Sequence, residues 1–130
     1  MIVESLDKQF AVLINSLKEL VGKVDADQLL RSAAVIEQTF GGLTSNLWDD
    51  PFEWTLPETL STPELVIEHL SEVDALRQRL FSSIDGDAAL SKFVSVPSGE
   101  PCVLAELLLE TLVRASDYRG RARAARNILS

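Results

Sequence analysis

The chain is predicted to be an all-α, four-helix bundle with a long crossover between helices 2 and 3, forming one domain over residues 1–130. Three observations predict it. Four stretches repeat their apolar residues at spacings of three and four. No stretch alternates as a strand should, and VSV at 94–96 is too short to support a sheet. The main non-helical connection, Trp48 to Ser61, is long and falls between the second and third of the four stretches.

In the first helix Val3, Leu6, Phe10, Leu13, Leu17 and Leu20 hold a 3-4 spacing without a miss, which predicts an amphipathic rod packed along a neighbour's length. Gly22 is placed to stop it, because glycine accepts the left-handed conformation at a helix end. Asp25 opens the second helix, with Gln28 at the reciprocal position of a capping box. Leu29, Ala33, Ile36, Phe40, Leu43 and Leu47 form its stripe. Gly41 and Gly42 interrupt this helix at about 1 kcal/mol each relative to alanine. A kink, a close helix approach and a break are the options. The stripe keeps its phase across both glycines, so the helix is expected to continue.

The connection WDDPFEWTLPETLS contains both tryptophans, and its prolines, Pro51 and Pro57, oppose continuous helix. Its aromatic rings are expected to fold back over the end of the core, the alternatives being a dimer contact and the lid of a pocket. Ser61-Thr62-Pro63-Glu64 combines a hydroxyl cap, a first-turn proline and a glutamate at the capping-box position, and so marks the start of the third helix. Val66, Leu70, Val73, Leu80 and Ile84 give its inner face, and Asp85-Gly86-Asp87 its end. Residues 87–101 form a connection with one short helical turn. The last helix runs from Val103 to Leu129, with Leu104, Leu107, Leu108, Thr111, Ala115, Tyr118, Ala122, Ala125 and Leu129 along one stripe. Glu110, Arg114, Asp117 and Arg121 run beside it at i,i+4 and i,i+3 spacing, as on a solvent-facing side. Arg119, Arg121, Arg123 and Arg126 suit the negative end of the helix dipole.

A net charge of −8 argues against nucleic-acid binding, which needs basic surface to displace counterions. The charge is uneven: residues 114–130 carry five bases against one acid, and the rest of the chain seven against nineteen. No apolar run approaches the length of a membrane span. MIVESLDKQF lacks the pattern of a signal peptide, and a single cysteine excludes an internal disulfide, so a reducing cytoplasm is expected.

Few motifs carry chemistry. Neither phosphate-cradling glycine loop occurs, and no serine sits on a GxSxG turn. The carboxylate pairs Asp49-Asp50 and Asp85 with Asp87 read as turn formers. His69, the only histidine, lies on the apolar side of the third helix with Arg77 on the opposite flank. It reads first as a boundary side chain satisfied by a neighbour, and second as a pocket acid or base. Cys102, at the start of the last helix, reads as a buried inert thiol. One histidine and one cysteine cannot make the usual metal ligand set.

The helix order, the segment TLPETLSTPELV and above all LLLETLVRASDYRGRARAA resemble the DinB-like (YfiT-related) superfamily of four-helix bundles. Metal-binding members of that superfamily carry two histidines four residues apart in the last helix, the second followed by a basic residue and glycine, and a third histidine in the second helix. The resemblance implies divalent-metal chemistry, in some members a thiol-dependent transfer. Here Arg119-Gly120 matches the trailing dipeptide, while the histidine positions hold Arg114 and Tyr118 and the second helix has no histidine. A guanidinium or a phenol does not replace a neutral imidazole on a metal. The expectation is a bundle with no metal and no cofactor that acts by binding, as a homodimer. The alternative is a degenerate enzyme that lines the former cavity with His69, Arg77, Arg114 and Tyr118 and takes a small anionic substrate.

Overall fold

The computed structural model describes residues 2–46, 48, 60–97 and 99–129, with side chains as far as 124. Four long helices dominate it: α1 (Ile2–Leu20), α2 (Ala26–Ser45), α3 (Pro63–Ser83) and α4 (Leu104–Leu129). A 3-10 turn (Asp87–Ser91) and two short strands, β1 (Phe93–Val94) and β2 (Cys102–Val103), link the last two.

The direction of each helix follows from the side chains that meet. Asp7 pairs with Arg77, while Leu17 clusters with Val66 and Leu70, so α1 and α3 are antiparallel. Ser32 bonds to Ala115 and Thr39 to Thr111, so α2 and α4 are also antiparallel. Leu29 and Leu30 cluster with Val66 and Glu37 meets His69, so α2 and α3 are parallel. The parallel pair explains the long connection, since the chain must return the full length of the bundle before α3 can begin. Helices α1 and α2, joined by a tight turn, lie diagonally across the bundle, as do α3 and α4. The fullest packing is between α2 and α4, and the seam between α1 and α4 is the loosest of the four neighbouring pairs.

The core follows from the stripes. Val3, Leu6, Phe10, Leu13 and Leu17 are buried on α1 as their spacing predicts, joined by Ile14. Phe10, Phe40 and Phe81 bring α1, α2 and α3 together, with the first two rings edge-on at 4.9 Å and Phe81 at 6.1 and 6.0 Å from them. Helix α2 is the most enclosed element: Ser32, Ala33, Ala34, Val35 and Ile36 are buried in succession, because α3 packs on one side and α4 on another.

Local chemistry sets the ends. Gly22 has φ of +79°, which ends α1. Asp25 caps α2 by accepting from Asp27 N at 3.2 Å. The capping box does not close, since Gln28 turns its amide to the Asp27 side chain instead. Thr62 is the cap of α3, accepting from Leu65 N at 3.2 Å, with Pro63 in the first turn. With Thr62 in that role, Glu64 falls one residue short of the reciprocal position.

Helix α2 does run through both glycines, and the reason at Gly42 is steric. A Cβ there would lie 2.2 Å from the Trp48 ring, so the missing side chain makes room for the indole. Trp48 accepts from Gln38 Nε2 at 3.1 Å through its carbonyl and donates from Nε1 to Asn46 Oδ1 at 3.1 Å. Leu47, Pro51, Phe52, Trp54 and Pro57 lie outside the described residues.

Three expectations are corrected. A sheet does form near VSV: Phe93 pairs with Val103 and Val94 with Cys102, antiparallel. Strands this short are sustained because Gly99 turns the chain at φ +96° and Leu104 N donates to Lys92 O at 2.9 Å. Cys102 therefore sits half-buried in β2 rather than in the last helix, which begins at Leu104. Asp87 is more than a helix terminator. Its carboxylate accepts from Ile2 N and Val3 N at 3.1 and 3.0 Å, capping α1 from 84 residues beyond Val3, and these bonds hold its own pKa below the usual value.

Candidate functional site

The four residues singled out from sequence are divided between α3 and α4, at opposite corners of the bundle. No hydrogen bond or ion pair joins any two of them among the described residues.

His69 faces the α2–α3 seam. Its Nε2 stands 3.2 Å from Glu37 Oε2, and its Nδ1 lies 3.9 Å from Glu72 on the outer side. Both atoms are buried, and neither has another partner among the described residues. The pair is an ionic contact that favours the charged form of the imidazole. The contact with Glu37 raises the His69 pKa above 6.5 despite the opposing effect of burial, and the charges of Glu37 and Glu72 add to it.

Arg77, two turns further along α3, bonds to Asp7 of α1 and, at 2.8 Å through Nε, to Asp74 of its own helix. Its guanidinium joins α1 to α3, and Asp74 and Asp7 raise its already high pKa. On α4, Arg114 is exposed. Tyr118 is half-buried against the core, with the Arg121 guanidinium 5.2 Å from its ring centre. Arg121 also meets Asp117 at 2.9 Å on a well-solvated face, where such a pair contributes a few tenths of a kcal/mol.

Arg114, an exposed cation, and Tyr118, a phenol beneath a second cation, do not supply ligands for a divalent cation. Among the described residues no group of three or more His, Cys, Asp or Glu side chains is placed to hold a metal ion, and no helix is long and apolar enough to cross a membrane.

Another buried polar atom without a hydrogen-bond partner lies along the α1–α4 seam. A groove of about 310 Å³ runs there, with Val12, Leu13 and Leu112 as its apolar lining and Lys8 and Arg119 as its cations. Burial, with Arg123 close by, pushes the Arg119 guanidinium below its usual pKa, and its Nε is buried without a hydrogen-bond partner. Around α4 from this groove come Leu109 and Val113, 50% and 67% exposed, on the same helix face as Gly120. The sequence stripe of α4 ran along its inner face and did not include these residues. Their signal was present, since 106, 109, 113, 116, 120 and 123 keep a 3-4-3-4-3 spacing of their own.

No family model matches the chain, and neither the curated proteins nor the solved structures compared with it provide a match.

Proposed function

We propose that this protein is a metal-free, DinB-like bundle that acts by binding rather than by catalysis, and that it works as a homodimer. The observation that carries the reading is the apolar surface on α4, where Leu109 and Val113 stand in solvent beside the open α1–α4 groove. Two adjacent exposed apolar side chains beside an apolar-lined groove suit a surface that is covered in the working protein. The candidate catalytic residues point the same way. Arg77 is held between two aspartates and His69 is held by Glu37, so neither is poised toward a substrate in a shared cavity.

Sedimentation or light scattering across micromolar concentrations tests the reading. The expected result is a species of twice the chain mass that dissociates on dilution. A monomer throughout that range would count against the homodimer.

A further inference from the structure

We infer that the dimer forms by antiparallel packing of α4 against α4 of a second copy, along the seam Glu106, Leu109, Val113, Ser116, Gly120 and Arg123. This inference rests on the homodimeric reading above and names the surface and register that it would use.

The six positions follow the 3-4 alternation of a coiled-coil seam, and all six are exposed or half-exposed. Reversing the seam on itself about a two-fold axis between Val113 and Ser116 pairs each position with a complementary one. Glu106 meets Arg123 of the second copy, Leu109 meets Gly120, and Val113 meets Ser116. Acid faces base at both ends, and a large side chain faces a small one at every inner layer. A parallel arrangement would instead set Glu106 on Glu106 and Arg123 on Arg123. The register is thus selected by charge as well as by size. Of the acids on the flank, Asp117 is already paired with Arg121, and Glu110 has Arg114 four residues on.

Gly120 is a separate pointer to a partner. It lies inside a long helix, where glycine is unfavourable, and its φ is ordinary. Yet a Cβ placed there meets nothing within 4 Å of its own chain. Packing inside the monomer does not require a glycine at this position, whereas close approach of Leu109 from a second α4 does.

Charge reversal in the full chain, read by sedimentation equilibrium, tests the assignment. Glu106→Arg and Arg123→Glu should each weaken the dimer by at least about tenfold, because the two-fold axis applies every change twice. The double variant should return to within a few-fold of the wild type. Gly120→Leu adds an independent arm, since the open space around Gly120 lets the monomer keep or gain thermal stability while the dimer is lost. A wild-type dimer indifferent to all of these changes would overturn the α4 seam and leave the homodimer standing on another face. A wild-type monomer would remove the homodimer itself. Singles that weaken the dimer with no recovery in the double would overturn the antiparallel register.

Discussion

The buried hydroxyl pair between α2 and α4 gives a prediction with a built-in direction. Thr39 Oγ1 and Thr111 Oγ1 lie 2.8 Å apart, with the residues 6% and 2% exposed, and Thr111 Oγ1 also donates to Leu107 O at 2.8 Å. A hydroxyl has one proton, so with Thr111 donating to Leu107, Thr39 must donate to Thr111. Valine keeps the shape of threonine and removes the hydroxyl. Thr39→Val takes away one donor and leaves Thr111 bonded to Leu107, at a cost of about 1 kcal/mol. Thr111→Val leaves the Thr39 hydroxyl buried without its acceptor, which costs roughly 1–3 kcal/mol. The double variant strands no polar group and should unfold within about 1 kcal/mol of the wild type. Urea unfolding of all four proteins at one fixed concentration gives the cycle, since any self-association would make stability depend on concentration. Single effects that simply add, to within about 0.5 kcal/mol, would refute the coupled chain. A Thr39→Val cost above that of Thr111→Val would refute its direction.

Two further predictions follow from the helix seams. The raised pKa of His69 means that its contact with Glu37 contributes stability that is fully present below pH 6.5 and lost as pH rises through the folded value. The stability gap between wild type and His69→Gln should therefore narrow as pH rises above 6.5, and a gap that widens would contradict the raised pKa. Gly42→Ala gains up to about 1 kcal/mol in helix propensity but drives a methyl into the Trp48 ring, at an overpacking cost of about 1–3 kcal/mol. The net effect should be a loss of stability with a red shift of Trp48 emission, measured in a Trp54→Phe background. Unchanged emission would place the indole elsewhere.

Helix periodicity was legible because it is local: each stripe depends only on residues three and four apart. That is why Val3 to Leu17, Leu29 to Phe40, Val66 to Leu80 and Leu104 to Ala122 could be read as inward faces, and why Gly22, Asp25 and Thr62 could be read as ends. The pairings between helices were not legible, because a stripe gives the direction of a face and not the identity of its neighbour. With α1 and α2 on a diagonal, Asp7 reaches Arg77 and Glu37 reaches His69 across gaps that no spacing rule covers. The capping of α1 by Asp87 is of the same kind, as 84 residues separate Asp87 from Val3. Sequence grouped His69, Arg77, Arg114 and Tyr118 from their faces and from the resemblance, whereas the topology sets two on α3 and two on α4.

The outer seam of α4 is best judged by magnitude. Fully burying a leucine or valine gains about 1.5–3 kcal/mol, and Leu109 and Val113 start from roughly half to two-thirds exposed. Each therefore gains about 1–2 kcal/mol on being covered, and a two-fold axis counts both residues twice, for roughly 4–8 kcal/mol. Association costs about 4–15 kcal/mol in lost freedom before any net affinity appears. The apolar centre alone thus reaches little beyond break-even, and the contacts flanking it decide whether a dimer forms at micromolar concentration. Glu106 and Arg123 close the seam at both ends, and Val12, Leu112 and Arg119 edge it along the α1–α4 groove. Truncating Leu109 would remove centre and stability together and could not separate register from simple burial. Reversing Arg123 also removes its bond to Ser16 at 3.3 Å within one copy, whereas recovery in the double reversal depends on the fit between two copies and is the result that an unspecific apolar patch cannot produce.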